Sequence, residues 1–235
     1  MHDFADSDLV SREYATTRRL EMRRLDRTAW LAGGDDPWLL ALAAIAEKHP
    51  THVLDAGCGT GDFAALVAAP DVTCVDSSKA AVAETRRRGL HAVQADVRDL
   101  PFADGTFDVV VANWMLYHVP DRARAIRELL RVLTSTGRFV GCYNAPGHLS
   151  ELWSLLDVRQ AKDDFDAANG RDELRRSFAR VEAREATTAA LWESRQRLQT
   201  YLDAYRELYG PLRAPDVSYP LRATRRNVVL VADRS

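Results

Sequence analysis

The run Phe107–Asn113 reads FDVVVAN, apolar and β-branched without alternation. A strand with one wet face alternates apolar and polar residues, so a continuous run predicts a strand buried on both faces. That requirement restricts the chain to a mostly parallel sheet covered by helices on either side. The flanking sequence agrees. Short apolar runs at His52–Ala56, Val72–Asp76, His91–Asp96 and Arg138–Tyr143 are expected strands. Helices are expected over Thr60–Ala69, from Ser78 to Arg88, and from Asp121 with Ile126, Leu129, Leu130 and Leu133 on one face. Gly89 and Gly137 are the expected stops. Asp36-Pro37 is a cap and first turn for a helix over Trp38–Glu47.

The expected fold class is α/β, a doubly wound, mostly parallel sheet. After Asn144 the pattern loosens. Residues 147–177 read as an amphipathic helical cap, broken at Asn169-Gly170. Val181–Trp192 reads as a strand. A helix with Leu198, Tyr201, Leu202, Tyr205 and Leu208 on one face is expected to stop at Gly210-Pro211, with Asn227–Ala232 as closing strand. The 235 residues are read as one domain: N-terminal helices over 1–50, a core over 51–144, a cap over 145–177, and closing elements over 178–235.

Composition excludes several partners. The formal net charge is -2, which offers no electrostatic hold on nucleic acid or an anionic membrane. Only three of the 32 basic residues are lysine (Lys48, Lys79, Lys162), a bias that base composition of the genome explains. The three cysteines, Cys58, Cys74 and Cys142, lack CxxC spacing and suggest a reducing compartment with neither disulfide frame nor metal cluster. The polar N-terminus does not resemble a secretory signal, and no apolar run approaches a membrane span. A cytoplasmic, soluble chain acting as a monomer or homodimer is expected.

Chemistry concentrates behind the strands, where open parallel sheets bind ligands. Gly57, Gly59 and Gly61 follow the first strand, so a ligand can approach bare backbone and meet N–H donors. Asp76 ends the second strand, where a carboxylate can accept both hydroxyls of a ribose. Asp96 ends the third and is placed to accept from an exocyclic amine such as that of adenine. Helix or turn capping is the alternative for both. The spacing is G-x-G-x-G, whereas the dinucleotide fingerprint is G-x-G-x-x-G. Asp55, two residues before Gly57, would repel a pyrophosphate and suits a cationic ligand.

These residues carry a resemblance. Asp55-Ala56-Gly57-Cys58-Gly59-Thr60-Gly61, then Asp76, then Asp96 with LPFADGTFDVVVANWMLYHVPD downstream, resemble the motifs of class I S-adenosylmethionine-dependent methyltransferases over residues 50–143. The resemblance implies a seven-stranded sheet whose last strand is antiparallel. It also implies S-adenosylmethionine as cofactor, with the loop from Asp55 to Gly61 on the methionine part and Asp76 with Ser77 on the ribose. Asp96 and the Val97 amide would hold the adenine, with Asn113, Trp114 and the residues to Leu116 under the sulfonium. Tyr14 resembles an N-terminal tyrosine that some members fold over the cofactor. Asn113 is not followed by Pro-Pro-Tyr, which argues against the DNA-amine and glutamine branches.

His118 is the candidate general base, because it follows the fourth strand and titrates in the useful range; His148 is the second. Trp114, Tyr117, Tyr143 and Trp153 are candidate walls of a small-molecule acceptor pocket, with core packing as the alternative. Two other function classes remain open: a nicotinamide-dependent oxidoreductase, and a cofactor-binding protein that does not transfer methyl groups.

Overall fold

A computed structural model describes residues 35–158 and 169–235. Seven strands, β1 (His52–Ala56), β2 (Asp71–Asp76), β3 (His91–Gln94), β4 (Phe107–Val111), β5 (Leu133–Asn144), β6 (Arg180–Trp192) and β7 (Leu221–Asp233), form one sheet. The order is β3-β2-β1-β4-β5-β7-β6. The first five strands run parallel, and β7 lies antiparallel to both β5 and β6. The order reverses direction between β1 and β4, so the cleft at their carboxyl ends is the natural ligand position.

Both faces of β4 are covered, as its composition demands. Val109 and Val111 pack with Ala41, Ala44 and Ile45 of helix α1 (Pro37–Ala46). Val110 points the other way, into a cluster with Ala125, Ile126, Leu129 and Val132 of α3 (Arg122–Val132). Each fully buried valine contributes on the order of 1.5–3 kcal/mol. Helix starts follow the expected capping. Asp36 accepts from the Trp38 amide at 2.8 Å, Ser78 from Ala81 at 3.2 Å ahead of α2 (Lys79–Arg87), and Asp121 from Arg124 at 3.1 Å. Gly89 turns the chain with φ +82°.

Several expected elements differ. Thr60–Ala69 is no α-helix: only a 3₁₀ turn over Ala64–Leu66 forms. Gly61 is still in the loop at φ +75° and Pro70 lies close behind, so too few residues remain for a nucleated helix. Gly137 does not end α3. The helix stops at Val132, where Leu133 pairs with Phe107, and Gly137 lies inside β5. Asn169-Gly170 is helical, within α5 (Asn169–Leu174), and forms no turn among the described residues. The helix expected through Leu208 is two pieces, α6 (Arg195–Asp203) and α7 (Arg206–Tyr209). In the cap, α4 spans Ser150–Leu155, and 159–168 lie outside the described residues.

The strands β6 and β7 outgrow the sheet. The last pair between β5 and β7 is Asn144 with Asn227, yet β7 continues to pair with β6 as far as Leu221 opposite Trp192. Six further residues at about 3.3 Å each extend this ribbon roughly 20 Å past the carboxyl end of β5. A separate core builds on it from α4, α6 and α7, including Leu149, Leu152, Trp153, Trp192, Leu198 and Leu202.

Candidate active site

Past Ala56 the loop is tied to the neighbouring strand: Gly57 and Cys58 both donate to the Val75 carbonyl, at 2.7 and 3.0 Å. Gly57, Gly59 and Gly61 all have positive φ (+73°, +56°, +75°), where side chains are strained. Two of the three are also needed inside the protein. A Cβ at Gly57 would stand 2.8 Å from Met115 Cβ, and one at Gly61 2.8 Å from Leu90 and 2.9 Å from Thr85.

Asp76 closes β2 and clamps this loop. Its Oδ2 accepts from the Gly59 amide at 2.9 Å and its Oδ1 from Ser78 at 2.8 Å. A carboxylate oxygen can accept more than one hydrogen bond, so both roles expected of Asp76 are compatible. Burial pushes its carboxyl up, and the two amides oppose that shift. Ser77 follows it, exposed, with its carbonyl accepting from Gln94 at 3.0 Å.

Asp55 is buried at 2% exposure, and its Oδ2 has no hydrogen-bond partner among the described residues. Burial, then the neighbouring charge of Asp76, raises its carboxyl to about 7. Across the sheet's reversal, Asn113 spends its Oδ1 on the Cys142 amide at 2.9 Å, while its buried Nδ2 has no partner among the described residues. One buried acceptor and one buried donor therefore lie at the ends of adjacent strands. That pair suits a zwitterion, ammonium toward the carboxylate and carboxylate toward the amide.

Asp96 lies two residues beyond the end of β3 and caps its own turn, its Oδ1 accepting from the Arg98 amide at 2.8 Å. It is gripped by Arg98, whose Nε lies 3.0 and 3.1 Å from its oxygens and whose Nη2 lies 2.6 Å away. The guanidinium holds its carboxyl below the usual range. Val97 beside it is buried.

Trp114 adopts φ +50°, a strained conformation for a bulky residue, fixed by its amide on the Cys142 carbonyl at 2.8 Å. Its indole N–H donates to Asn144 Oδ1 at 3.2 Å, and Asn227 Nδ2 donates to the same oxygen at 3.1 Å. Asn144 and Asn227 were not among the expected site residues, whereas Met115 lies within the expected Asn113 to Leu116 stretch. A buried asparagine in the apolar run NVVLVA was the available signal for Asn227.

The other candidates spread apart. His118 ends a 3₁₀ turn over Leu116–His118, its ring 4.3 Å from that of the buried Tyr117. His148 lies with Nδ1 2.8 Å from the Arg226 carbonyl, so Nδ1 carries the proton; burial drives its pKa down to about 4. A ring of that basicity is a poor proton acceptor at neutral pH. Tyr143 is fully buried, its hydroxyl donating to the Ala112 carbonyl at 2.7 Å. Trp153 stands in the outer core, 5.2 Å from Tyr209. Tyr14 lies outside the described residues.

Residues 54–141 match the family described as "Methyltransferase domain". The chain is similar to a malonyl-[acyl-carrier protein] O-methyltransferase of Pseudescherichia vulneris, with 35% identity over 133 residues covering 54% of this chain and 53% of that protein. It is similar to a demethylmenaquinone methyltransferase of Clavibacter sepedonicus, with 37% identity over 127 residues covering 50% and 52%. The chain thus spans about half the length of the curated relatives it matches. Among solved structures, YcgJ of Bacillus subtilis superposes with a TM-score of 0.58 at 19% identity, covering 83% of this chain and 98% of that one. That likeness is one of fold. Sheet order, glycine loop and strand-end carboxylates agree with the sequence match: residues 54–141 carry the chain's likeness to a methyltransferase domain, the stretch that also resembles class I S-adenosylmethionine-dependent methyltransferases.

Proposed function

We propose that the chain transfers a methyl group from S-adenosylmethionine to an oxygen, nitrogen or carbon of a small-molecule acceptor. The observation that carries this reading is Asp55: a buried carboxylate with an unpartnered oxygen beside Asp76, at the point where the strand order reverses. A cation satisfies that site and a pyrophosphate does not. Bound there, S-adenosylmethionine supplies an electrophilic methyl on a sulfonium.

The chain's own residues then bind and orient. Asp55 and Asn113 hold the amino-acid end, and the bare backbone of Gly57 to Gly61, its glycine amides already tied to Val75, Asp76 and Cys58, lets it lie close beside Ala56 and Cys58. Asp76 accepts from the ribose hydroxyls beside Ser77. Asp96, with its charge already balanced by Arg98, accepts a single amine hydrogen of the adenine, next to the Val97 amide. Trp114 presents its indole beneath the methyl. His118 is the base for a hydroxyl acceptor. His148, held neutral and weakly basic, serves as packing. Alignment and exclusion of water supply most of the rate. The balanced charge supports a small molecule, not a nucleic acid, as acceptor, with a single domain working in the cytoplasm as monomer or homodimer. Among the described residues no helix is long and apolar enough to cross a membrane.

Titration calorimetry tests the reading. S-adenosylhomocysteine is expected to bind with a micromolar dissociation constant and NADH not at all. The reverse pattern overturns it.

A further inference from the structure

The outer core on the β6–β7 ribbon contains a run of five aromatic rings. Trp192 at the end of β6 lies 5.2 Å from Tyr201, and Tyr201 lies 5.1 Å from Tyr205. Tyr205 lies 5.9 Å from Trp153, which lies 5.2 Å from Tyr209. The tyrosines are half-buried and the Tyr201 hydroxyl donates to that of Tyr205 at 3.3 Å. Both tryptophans are deeper, Trp153 at 5% and Trp192 at 2% exposure.

Neither Trp153 Nε1 nor Trp192 Nε1 has a hydrogen-bond acceptor among the described residues. An indole N–H can only donate, and a buried donor left unmatched is costly. Buried tryptophans in ordinary cores generally find an acceptor. Two unmatched donors in one aromatic cluster are therefore a concentrated demand for acceptor oxygens, surrounded by ring faces and by Leu149, Leu152 and Leu198. The cluster stands beyond the carboxyl end of β5, on the side of the sheet where the glycine loop lies.

We propose that this cluster is a binding site for a flat aromatic molecule carrying a hydroxyl or carbonyl oxygen, the rings stacking with tyrosine and the oxygen accepting from Trp153 or from Trp192. The donors select the oxygen and the rings select the flat shape. On the methyl-transfer reading this is where the acceptor's ring system rests, but the binding itself needs no cofactor.

The test compares 2-naphthol with naphthalene on the full ¹⁵N-labelled chain, following the indole N–H signals by NMR. Trp153→Phe and Trp192→Phe assign the two resonances. A downfield shift of either resonance with 2-naphthol, absent with naphthalene, is the expected result. The double variant is expected to bind 2-naphthol at least fivefold more weakly, since each lost hydrogen bond is worth about a fivefold change. It should bind naphthalene within twofold of the parent. If neither indole responds, or if naphthalene binds the parent as tightly as 2-naphthol, the proposal is overturned. Should the double variant not fold, the shifts in the parent chain decide alone. Asp76→Ala, which disables the cofactor site, is expected to leave 2-naphthol binding unchanged, so failure of either reading is seen separately.

Discussion

At the scale of single residues, Asp55 and Asp76 divide one task. Burial pushes the Asp76 carboxyl up and two backbone amides oppose that, whereas Asp55 has burial and a like charge against it with no amide to oppose them. Because the Asp55 carboxyl rises from 3.8 to about 7, the folded chain holds a proton that the unfolded chain has released between those values. Its contribution to stability is complete below the unfolded value and is lost as pH rises through about 7. Thermal melts of the ligand-free protein between pH 5 and 8 should show this decline, and Asp55→Asn should flatten it. Binding runs the other way. Affinity for S-adenosylhomocysteine should grow through pH 7 as Asp55 ionises against the ammonium, and a pH-independent constant would contradict the assignment. For Asp76→Ala, loss of charge-assisted hydrogen bonds on the order of 1.5–3 kcal/mol each should weaken the same ligand by tenfold or more. Calorimetry reads it directly.

Elements show what local pattern can and cannot reveal. The strands β1, β2 and β4 and the caps of α1, α2 and α3 are written in contiguous residues, and they form as read. Gly137 misled because a glycine ends a helix only where nothing else claims the chain, and here Leu133 had already joined β4. The cofactor side of the site was legible for the same reason: strand, glycine turn and carboxylate lie within a short stretch. Its other half is built from distant pairs. Asn113 with Cys142, Trp114 with Asn144, and Asn144 with Asn227 are separated by 29, 30 and 83 residues, and no spacing announces them. Nor did the motif reveal that Arg98 takes the charge of Asp96. The strand-to-strand tether makes a prediction at this scale. Asn227→Ala removes the second support of Asn144 in a buried setting and should cost about 1–3 kcal/mol in urea unfolding. By loosening the Trp114 turn it should also weaken S-adenosylhomocysteine, which an unchanged binding constant would refute.

Across the whole molecule, the two ends of the sheet are secured differently. At the end away from the ligand cleft, Arg138 joins Asp233 and Glu47, and Arg184 joins Glu47 and Glu182, stitching α1, β5, β6 and β7 together with ions. At the cleft end the ion pairs Arg98–Asp96 and Arg88–Asp62 stay local to the loops, and hydrogen bonds among Trp114, Asn144 and Asn227 join the strands. The long β6–β7 ribbon carries the outer aromatic core without drawing on the strands that form the cofactor cradle. Residues 221–226 of that ribbon and its helices, beyond the Asn144–Asn227 pair, can therefore be exchanged while the donor site is left as it is. A chain arranged this way has separate dials for what it takes the methyl from and what it gives the methyl to, and a designer could turn the second with a library confined to the ribbon.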